Sequence, residues 1–262
     1  MPYALNAGTK IYWEERGRGD PLLLIMGLGA TLDLWHRVTP MLSATYRTIL
    51  LDNRGAGRSD APPGPYSIPQ MADDALAVLD AAGVTAARVF GASMGGMIAQ
   101  ELALQHPARV RSLILGCTAP GGKAAVPADR EVAAALAARM TLPPGQAARV
   151  MVPFIYDAST PRERVEEDIA IRERTAISND AFSAQYQAIR SWPGTIDRLG
   201  ELAMAVLVIH GETDRLVPPE NGRVIAQAIP HAELVMIPNA SHIFFTDQPD
   251  ASKDALLPFL GR

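Results

Sequence analysis

Short apolar runs alternate with longer segments of helical periodicity in the first half of the chain. Leu22–Met26, Arg47–Leu51 and Val110–Leu115 are mostly apolar, which is typical of strands buried on both faces of a sheet. Ser67–Ala82 predicts a helix whose first residue can cap it. Strands that alternate with helices predict an α/β fold, a mainly parallel sheet covered by helices on both faces.

The alternation stops in a central segment that lacks clear strands. This segment begins with Pro120-Gly121-Gly122 and ends with Trp192-Pro193-Gly194. Predicted helices there are Glu131–Met140 and Arg162–Ile177. The alternation then returns, with predicted strands at Ala205–Ile209 and Leu234–Ile237 and predicted helices at Pro219–Ile229 and Asp250–Leu260. We therefore predict a core domain over residues 1–119 and 195–262 and an inserted helical cap over residues 120–194.

One glycine-rich turn indicates covalent chemistry. Gly91-Ala92-Ser93-Met94-Gly95 follows the predicted strand Ala87–Phe90 and precedes the predicted helix Gly96–Leu104. A serine on a sharp strand-to-helix turn is a nucleophile elbow, which raises the hydroxyl above the sheet. The alternative is a turn that only packs the helix against the strand. The flanking elements favour Ser93 as the nucleophile.

A serine hydroxyl needs a base to remove its proton, and the chain has five histidines. We predict that His242 is the base because it follows the last strand, and loops after strand carboxyl ends converge where ligands bind. The others, His36, His106, His210 and His231, lie on a helix or at other strand ends, and His210 is interpreted as a structural hydrogen-bonding residue. A residue that caps the following helix is the alternative role for His242.

The acid that orients the histidine is predicted to be Asp214. This residue follows a strand and lies between Ser93 and His242, in the Ser…Asp…His order. Glu212 is the nearest rival, and Asp52 ends a strand too early in the chain. A carboxylate of a surface loop is the alternative for Asp214.

Backbone N–H groups are needed to stabilise the oxyanion of an acyl-transfer reaction. The N–H of Met94 at the helix start is the first predicted donor. The N–H of Leu28, in the loop Met26-Gly27-Leu28-Gly29-Ala30, is the second. An ordinary glycine-containing loop is the alternative at this position.

Composition narrows the class of partner and the compartment. The 262 residues are 48% hydrophobic and carry a net charge of −4, which favours neither nucleic acid nor an anionic membrane as a partner. The single cysteine, Cys117, excludes an intrachain disulfide, and its position after an apolar run favours a buried structural thiol. Signal-peptide features and apolar runs of transmembrane length are missing, so we expect a cytoplasmic protein.

These motifs together resemble the α/β-hydrolase fold family along nearly the whole chain. Further family-like segments are Asp52-Asn53-Arg54-Gly55-Ala56-Gly57-Arg58-Ser59-Asp60, Gly211 to Pro218, and Ala240-Ser241-His242. The resemblance implies an eight-stranded sheet with a cap after the sixth strand. Met26-Gly27-Leu28-Gly29 is similar to the branch of 3-oxoadipate enol-lactonases and polyketide methylesterases, although many family members carry histidine where Met26 stands.

The predicted function is that of a serine hydrolase acting on a small carboxylic ester or lactone through an acyl-enzyme. We expect a small-molecule substrate and no metal or other cofactor, since the chain lacks the His-x-His and His-Glu-x-x-His patterns. An enol-lactonase-like enzyme, a carbon–carbon bond hydrolase, a perhydrolase side activity and a non-catalytic binding member of the fold are the alternatives.

The predicted substrate pocket is compact and largely apolar. We expect Gly27 and Trp35 of the core and Met151 and Trp192 of the cap to line it. Methionines and aromatic residues suit such a wall because they shape a pocket and accommodate different ligands.

Overall fold

An eight-stranded sheet forms the centre of the molecule. The computed structural model describes residues 2–262, apart from the side chains at 144 and 145. The strands are β1 (Tyr3–Asn6), β2 (Thr9–Arg16), β3 (Pro21–Ile25), β4 (Arg47–Leu51), β5 (Ala87–Ala92), β6 (Val110–Gly116), β7 (Ala205–Gly211) and β8 (Glu233–Ile237). Their order is β1-β2-β4-β3-β5-β6-β7-β8, with β1 and β2 antiparallel to their neighbours and the rest parallel. The predicted fold class is confirmed.

Helices cover the sheet and fill the long connection after β6. They are α1 (Thr39–Leu42), α2 (Ile68–Ala81), α3 (Met94–Gln105), α4 (Arg130–Arg139), α5 (Pro144–Ala147), α6 (Val152–Ile155), α7 (Arg162–Arg174), α8 (Asn179–Ser191), α9 (Glu220–Ala228), α10 (Phe244–Asp247) and α11 (Pro249–Leu260). None of these helices in residues 2–262 has both the length and the apolar character needed to cross a membrane.

The apolar runs of the central strands serve two separate cores. Alternate side chains of a strand point to opposite faces of the sheet. In β3, Leu23 and Ile25 join a cluster with α2 and α3, whereas Leu22 and Leu24 join a cluster with α1 and α11. Burial on both faces is the physical reason that β3 is apolar at every position.

The connection from β6 to β7 contains α4 to α8 and, in the part that the structure describes, no strand. Gln185 of α8 ties this segment to the core. Its side-chain oxygen accepts the Gly29 N–H at 2.9 Å, and its amide group donates to the Arg54 carbonyl at 2.8 Å. The division of the chain into a core and a cap over residues 120–194 stays a prediction.

The helices of this segment differ from the sequence prediction: α4 is shifted by one residue, and the short helices α5 and α6 were not predicted. Helix α7 ends at Arg174 rather than at Ile177, because Ile177 turns away to pack in a small cluster with Phe182. Helix α8 is absent from the prediction. Four of its five buried residues recur at the spacing of one helical face, which is the signal that could have revealed it: Ala181, Ala184, Gln185 and Ala188.

Candidate active site

Ser93 is the single residue between β5 and α3, where the chain makes a sharp turn. Its φ of 58° is in the left-handed region that residues with a side chain rarely adopt. The turn is held by the Ser93 N–H, which donates to the Gly116 carbonyl at 2.8 Å, and by the Thr118 hydroxyl, which donates to the Ser93 carbonyl at 2.7 Å. A Cβ at position 95 would lie 2.0 Å from the Ile25 carbonyl oxygen, so only glycine fits there. The predicted elbow geometry is therefore present.

Asp214 and His242 are joined by a hydrogen bond at the carboxyl ends of the strands. His242 Nδ1 lies 2.8 Å from Asp214 Oδ2, and the Val217 N–H donates to Asp214 Oδ1 at 2.9 Å. Both side chains are buried. Burial opposes ionisation of Asp214, but the charge of His242 and the hydrogen bonds from His210 and His242 outweigh it and lower the pKa of Asp214 below its ordinary value. An ionised carboxylate only accepts, so Nδ1 of His242 carries a proton, and in the neutral imidazole Nε2 is left as the acceptor.

His210 is a second histidine on the same carboxylate, a contact that the sequence prediction missed. Its Nε2 lies 2.8 Å from the Val217 carbonyl oxygen and 3.2 Å from Asp214 Oδ2. The carbonyl only accepts, so Nε2 of His210 carries a proton and is shared between the two oxygens. His210 thereby helps to hold Asp214 in the orientation that it presents to His242. The spacing of four residues between His210 and Asp214, across a strand end, was the available signal.

The loop after β3 lies directly against the serine. A Cβ on Gly27 would lie 2.8 Å from Ser93 Cβ, so the close approach needs glycine. The Gly29 N–H is occupied by Gln185, whereas the N–H groups of Leu28 and Met94 have no acceptor among the described residues. The N–H groups of Leu28 and Met94 are thus free at the predicted positions. Their role in stabilising the oxyanion stays a prediction.

A cavity of about 180 Å³ brings most of the predicted residues together. Five of them line it: Gly27, Leu28, Ser93, Met151 and His242. The segment between β6 and β7 contributes further lining residues: Leu136, Arg139, Ile155, Arg172, Phe182, Tyr186 and Ile189. The wall is mostly apolar, and none of its described residues is acidic. This volume is below the usual range for drug-sized ligands, so the cavity fits a small molecule.

Cys117 lines the same cavity beside the elbow but is a poor rival to Ser93 as a nucleophile. The residue is 1% exposed, in agreement with the predicted buried thiol. Burial raises the pKa of Cys117 well above its ordinary value, and the nearby Asp214 carboxylate adds to the shift. The thiol therefore stays protonated at neutral pH, and the thiolate is the reactive form.

Trp35 and Trp192 are not part of the cavity wall, which corrects the prediction for both. Trp35 lies behind the wall, where its ring packs on Phe90 and Phe245 at centroid distances of 4.9 and 5.5 Å. Phe245 lines the cavity in its place. The indole N–H of Trp192 donates to Glu101 at 2.8 Å, which draws this side chain into the sheet-facing core instead of the cavity.

We expect Trp35→Ala and Trp192→Ala to lower stability without changing substrate preference. Removing a buried tryptophan costs about 3–5 kcal/mol, which lowers the melting temperature of a chain of this size by roughly 6–20 °C. Met151→Ala should instead change the preference between short and longer acyl esters. Thermal melts and ester chain-length profiles of the three variants test this. A changed profile in both tryptophan variants, at unchanged melting temperature, would contradict the assignment.

A family model described as the alpha/beta hydrolase fold matches residues 20–249. The chain belongs to the alpha/beta hydrolase family. The family match confirms the resemblance predicted from the elbow, the acid loop and the histidine segment.

Relatives of this hydrolase carry several hydrolytic names. The chain is 34% identical over its full length to the "Putative carbamate hydrolase RutD" of Azorhizobium caulinodans and covers 98% of that protein. It is 30% identical to 3-oxoadipate enol-lactonase 2 of Acinetobacter baylyi, over 92% of this chain and 89% of the relative. The crystal structure of the enol-lactonase from Burkholderia xenovorans LB400 matches with a TM-score of 0.88 at 28% identity, covering 100% of each chain. The predicted similarity to the branch that contains enol-lactonases is confirmed, and the relatives support hydrolytic activity.

Proposed function

We propose that this hydrolase cleaves a small carboxylic ester or lactone, with Ser93 as nucleophile, His242 as base and Asp214 as the orienting acid. One observation carries the proposal. Ser93 on its elbow and His242, bonded to buried Asp214, line one small and mostly apolar cavity. The combination of a serine and a histidine in one cavity, with a buried acid bonded to the histidine, supports acyl transfer.

The reaction proceeds in two steps. Ser93 Oγ attacks the substrate carbonyl carbon while Nε2 of His242 takes the hydroxyl proton. The N–H groups of Leu28 and Met94 donate to the oxyanion of the tetrahedral intermediate. The C–O bond to the alcohol then breaks, and His242 returns the proton to the leaving oxygen. Water, deprotonated by His242, attacks the acyl-enzyme, and His242 returns that proton to Ser93 Oγ as the carboxylic acid leaves.

Lactone cleavage uses the same steps, except that the alcohol remains attached to the acyl group after ring opening. The enol-lactonase relatives at 30% and 28% identity favour this variant as the second candidate. A small lactone is also a compact substrate, because its acyl and alcohol parts form one ring. Such a substrate suits a cavity of about 180 Å³.

A panel of p-nitrophenyl esters from acetate to palmitate, with small lactones beside it, tests the proposal. We expect turnover of short acyl esters or of a lactone and a fall in rate as the acyl chain outgrows the cavity. A fluorophosphonate probe should label the protein once per chain. Absence of turnover and of labelling, together with measurable binding of the same compounds, would indicate a non-catalytic binding member of the fold.

A further inference from the structure

Two arginines lie inside the candidate active-site cavity. Arg139, the last residue of α4, and Arg172, in the last turns of α7, line the same cavity as Ser93 and His242. Most cavity-lining residues are apolar, so these guanidinium groups are the strongest charges available to a bound molecule. A smaller hollow of about 10 Å³ adjoins both side chains. Its size corresponds to roughly one water molecule.

Neither guanidinium has a carboxylate partner among the described residues, although α7 is rich in acidic residues. Glu166 and Glu173 both pair with Arg149, at 3.0 and 2.7 Å. Asp168, one turn before Arg172, is bonded to four other side chains: His36 at 2.9 Å, Arg37 at 3.2 Å, Tyr156 at 3.2 Å and Thr246 at 2.7 Å. These acidic residues of α7 therefore pair with other side chains and not with Arg139 or Arg172.

The surroundings of the two arginines offset their charge only in part, through an aromatic contact rather than a carboxylate. The Arg139 guanidinium lies 4.1 Å from the centroid of the Phe182 ring and against Gly29, whose added Cβ would be 2.8 Å from Nη2. Burial lowers the pKa of Arg139 to about 10, and the like charge of Arg172 contributes, so the group is still cationic at neutral pH.

Arg172 has a hydrogen-bonding neighbour in Tyr156 but no charged partner among the described residues. Its Nε is buried without a hydrogen-bond partner among the described residues. The hydroxyl of Tyr156 lies beside it and is neutral, because burial raises the pKa of Tyr156. Both arginines are partly buried. A partly buried positive charge without a carboxylate partner is incompletely solvated, and an anion that enters the cavity offsets that loss.

We propose that Arg139 and Arg172 bind a carboxylate group of the substrate, at a distance from the ester or lactone carbonyl that Ser93 attacks. The proposal rests on the proposed hydrolytic function and adds the substrate class, an ester or lactone that carries a free carboxylate. A planar guanidinium matches a planar carboxylate with two parallel hydrogen bonds, which a single ammonium group cannot do. The small cavity favours a carboxylate over a bulkier anion such as a phosphate ester.

Matched pairs of esters test this charge preference directly. Methyl hydrogen glutarate is compared with methyl pentanoate, and methyl hydrogen adipate with methyl hexanoate, because the members of each pair differ mainly in the terminal charge. O-acetylglycolate and ethyl acetate form a third pair, with the carboxylate on the alcohol side. We expect the wild type to have a higher kcat/KM for the charged member of at least one pair.

Substitution of the arginines should abolish that preference. Arg139→Met and Arg172→Met keep side-chain length and remove the charge, and each should lower the charged-to-neutral ratio of kcat/KM by about 10- to 100-fold. Arg139→Lys should recover part of the ratio. Arg130→Met on α4 and Arg162→Met on α7 are the matched controls, because both residues are exposed, and they should keep the wild-type ratio.

Binding without turnover gives a second readout. In a Ser93→Ala background, methyl hydrogen glutarate should raise the melting temperature, and the added Arg139→Met change should remove that shift. Equal losses for charged and neutral esters in the arginine variants would show a purely structural role and overturn the proposal. A wild type without charge preference would also overturn the proposal. The same holds if inorganic phosphate competes with the ester substrate and carboxylates do not. Failure of the wild type to hydrolyse any neutral or charged ester or any lactone of the panel would instead reject the proposed function itself.

Discussion

Ser93→Ala is expected to reduce kcat for ester hydrolysis by about 10⁴-fold or more, the scale on which triad nucleophiles contribute. Alanine lacks the oxygen that forms the acyl-enzyme and keeps nearly the same volume at the elbow. The backbone bonds that hold the turn involve the N–H and carbonyl of residue 93 and are retained. Steady-state kinetics with the best ester of the panel measure the loss, and circular dichroism checks the fold.

Mass spectrometry gives an independent test of the same residue. A fluorophosphonate should add one probe mass to the wild type, on the peptide that contains Ser93, and none to Ser93→Ala. Ser183→Ala, on α8 and outside the cavity lining, is the control and should be labelled like the wild type. Turnover by Ser93→Ala, or a probe on a different serine, would reject Ser93 as the nucleophile.

Asp214→Asn should reduce kcat by about 10⁴-fold while the fold is retained, since an amide in place of the carboxylate favours the wrong imidazole tautomer. The asparagine also loses the negative charge that stabilises protonated His242 during the reaction. The asparagine oxygen can still accept the Val217 N–H, which limits structural damage, whereas the NH2 group takes the place of the oxygen that faces His210 and His242. Rates and thermal melts of the variant separate the loss of catalysis from the loss of stability.

Glu212→Gln is the matched control for the acid. Glu212 lies two residues away in the same loop but is exposed, so its substitution by glutamine should leave kcat near the wild-type value. The lowered pKa of Asp214 means that this carboxylate stays ionised above its ordinary value of 3.8 and loses its charge only at lower pH. Asp214 is therefore not expected to limit the rate between pH 5 and 8. A nearly active Asp214→Asn with an inactive Glu212→Gln would show that the acid is wrongly assigned.

Local sequence was sufficient for the elements that build the site. Strand β3 is apolar throughout and β4 over its last three residues because both faces are buried, and that pattern is visible without a structure. The elbow could be predicted as well, since the glycines around Ser93 are required by backbone approaches that no side chain allows. Parallel strands bring the loops of Asp214 and His242 to the same sheet edge, so their chain order was informative.

The cavity wall depended on partners that are remote in the chain. A periodic pattern of apolar residues predicts which residues are buried. It does not distinguish residues of the core from residues that line a pocket. Trp192 joins the core because its N–H reaches Glu101, and Trp35 is screened from the cavity by Phe245. Neither contact is encoded near the tryptophan itself, which is why both were wrongly predicted as pocket residues.

Charge compensation was likewise decided by the tertiary structure alone. In the sequence, Arg139 and Arg172 are ordinary basic residues near helix ends, and α7 offers acids to pair with them. Packing commits those acids to Arg149, His36 and Arg37 and leaves the two guanidiniums facing the cavity. The sequence by itself determined the sheet, the elbow and the order of the reactive residues, because these follow from local backbone and burial requirements. The tertiary structure decided which side chains face the substrate and which charges remain unpaired, because those properties depend on contacts between distant segments.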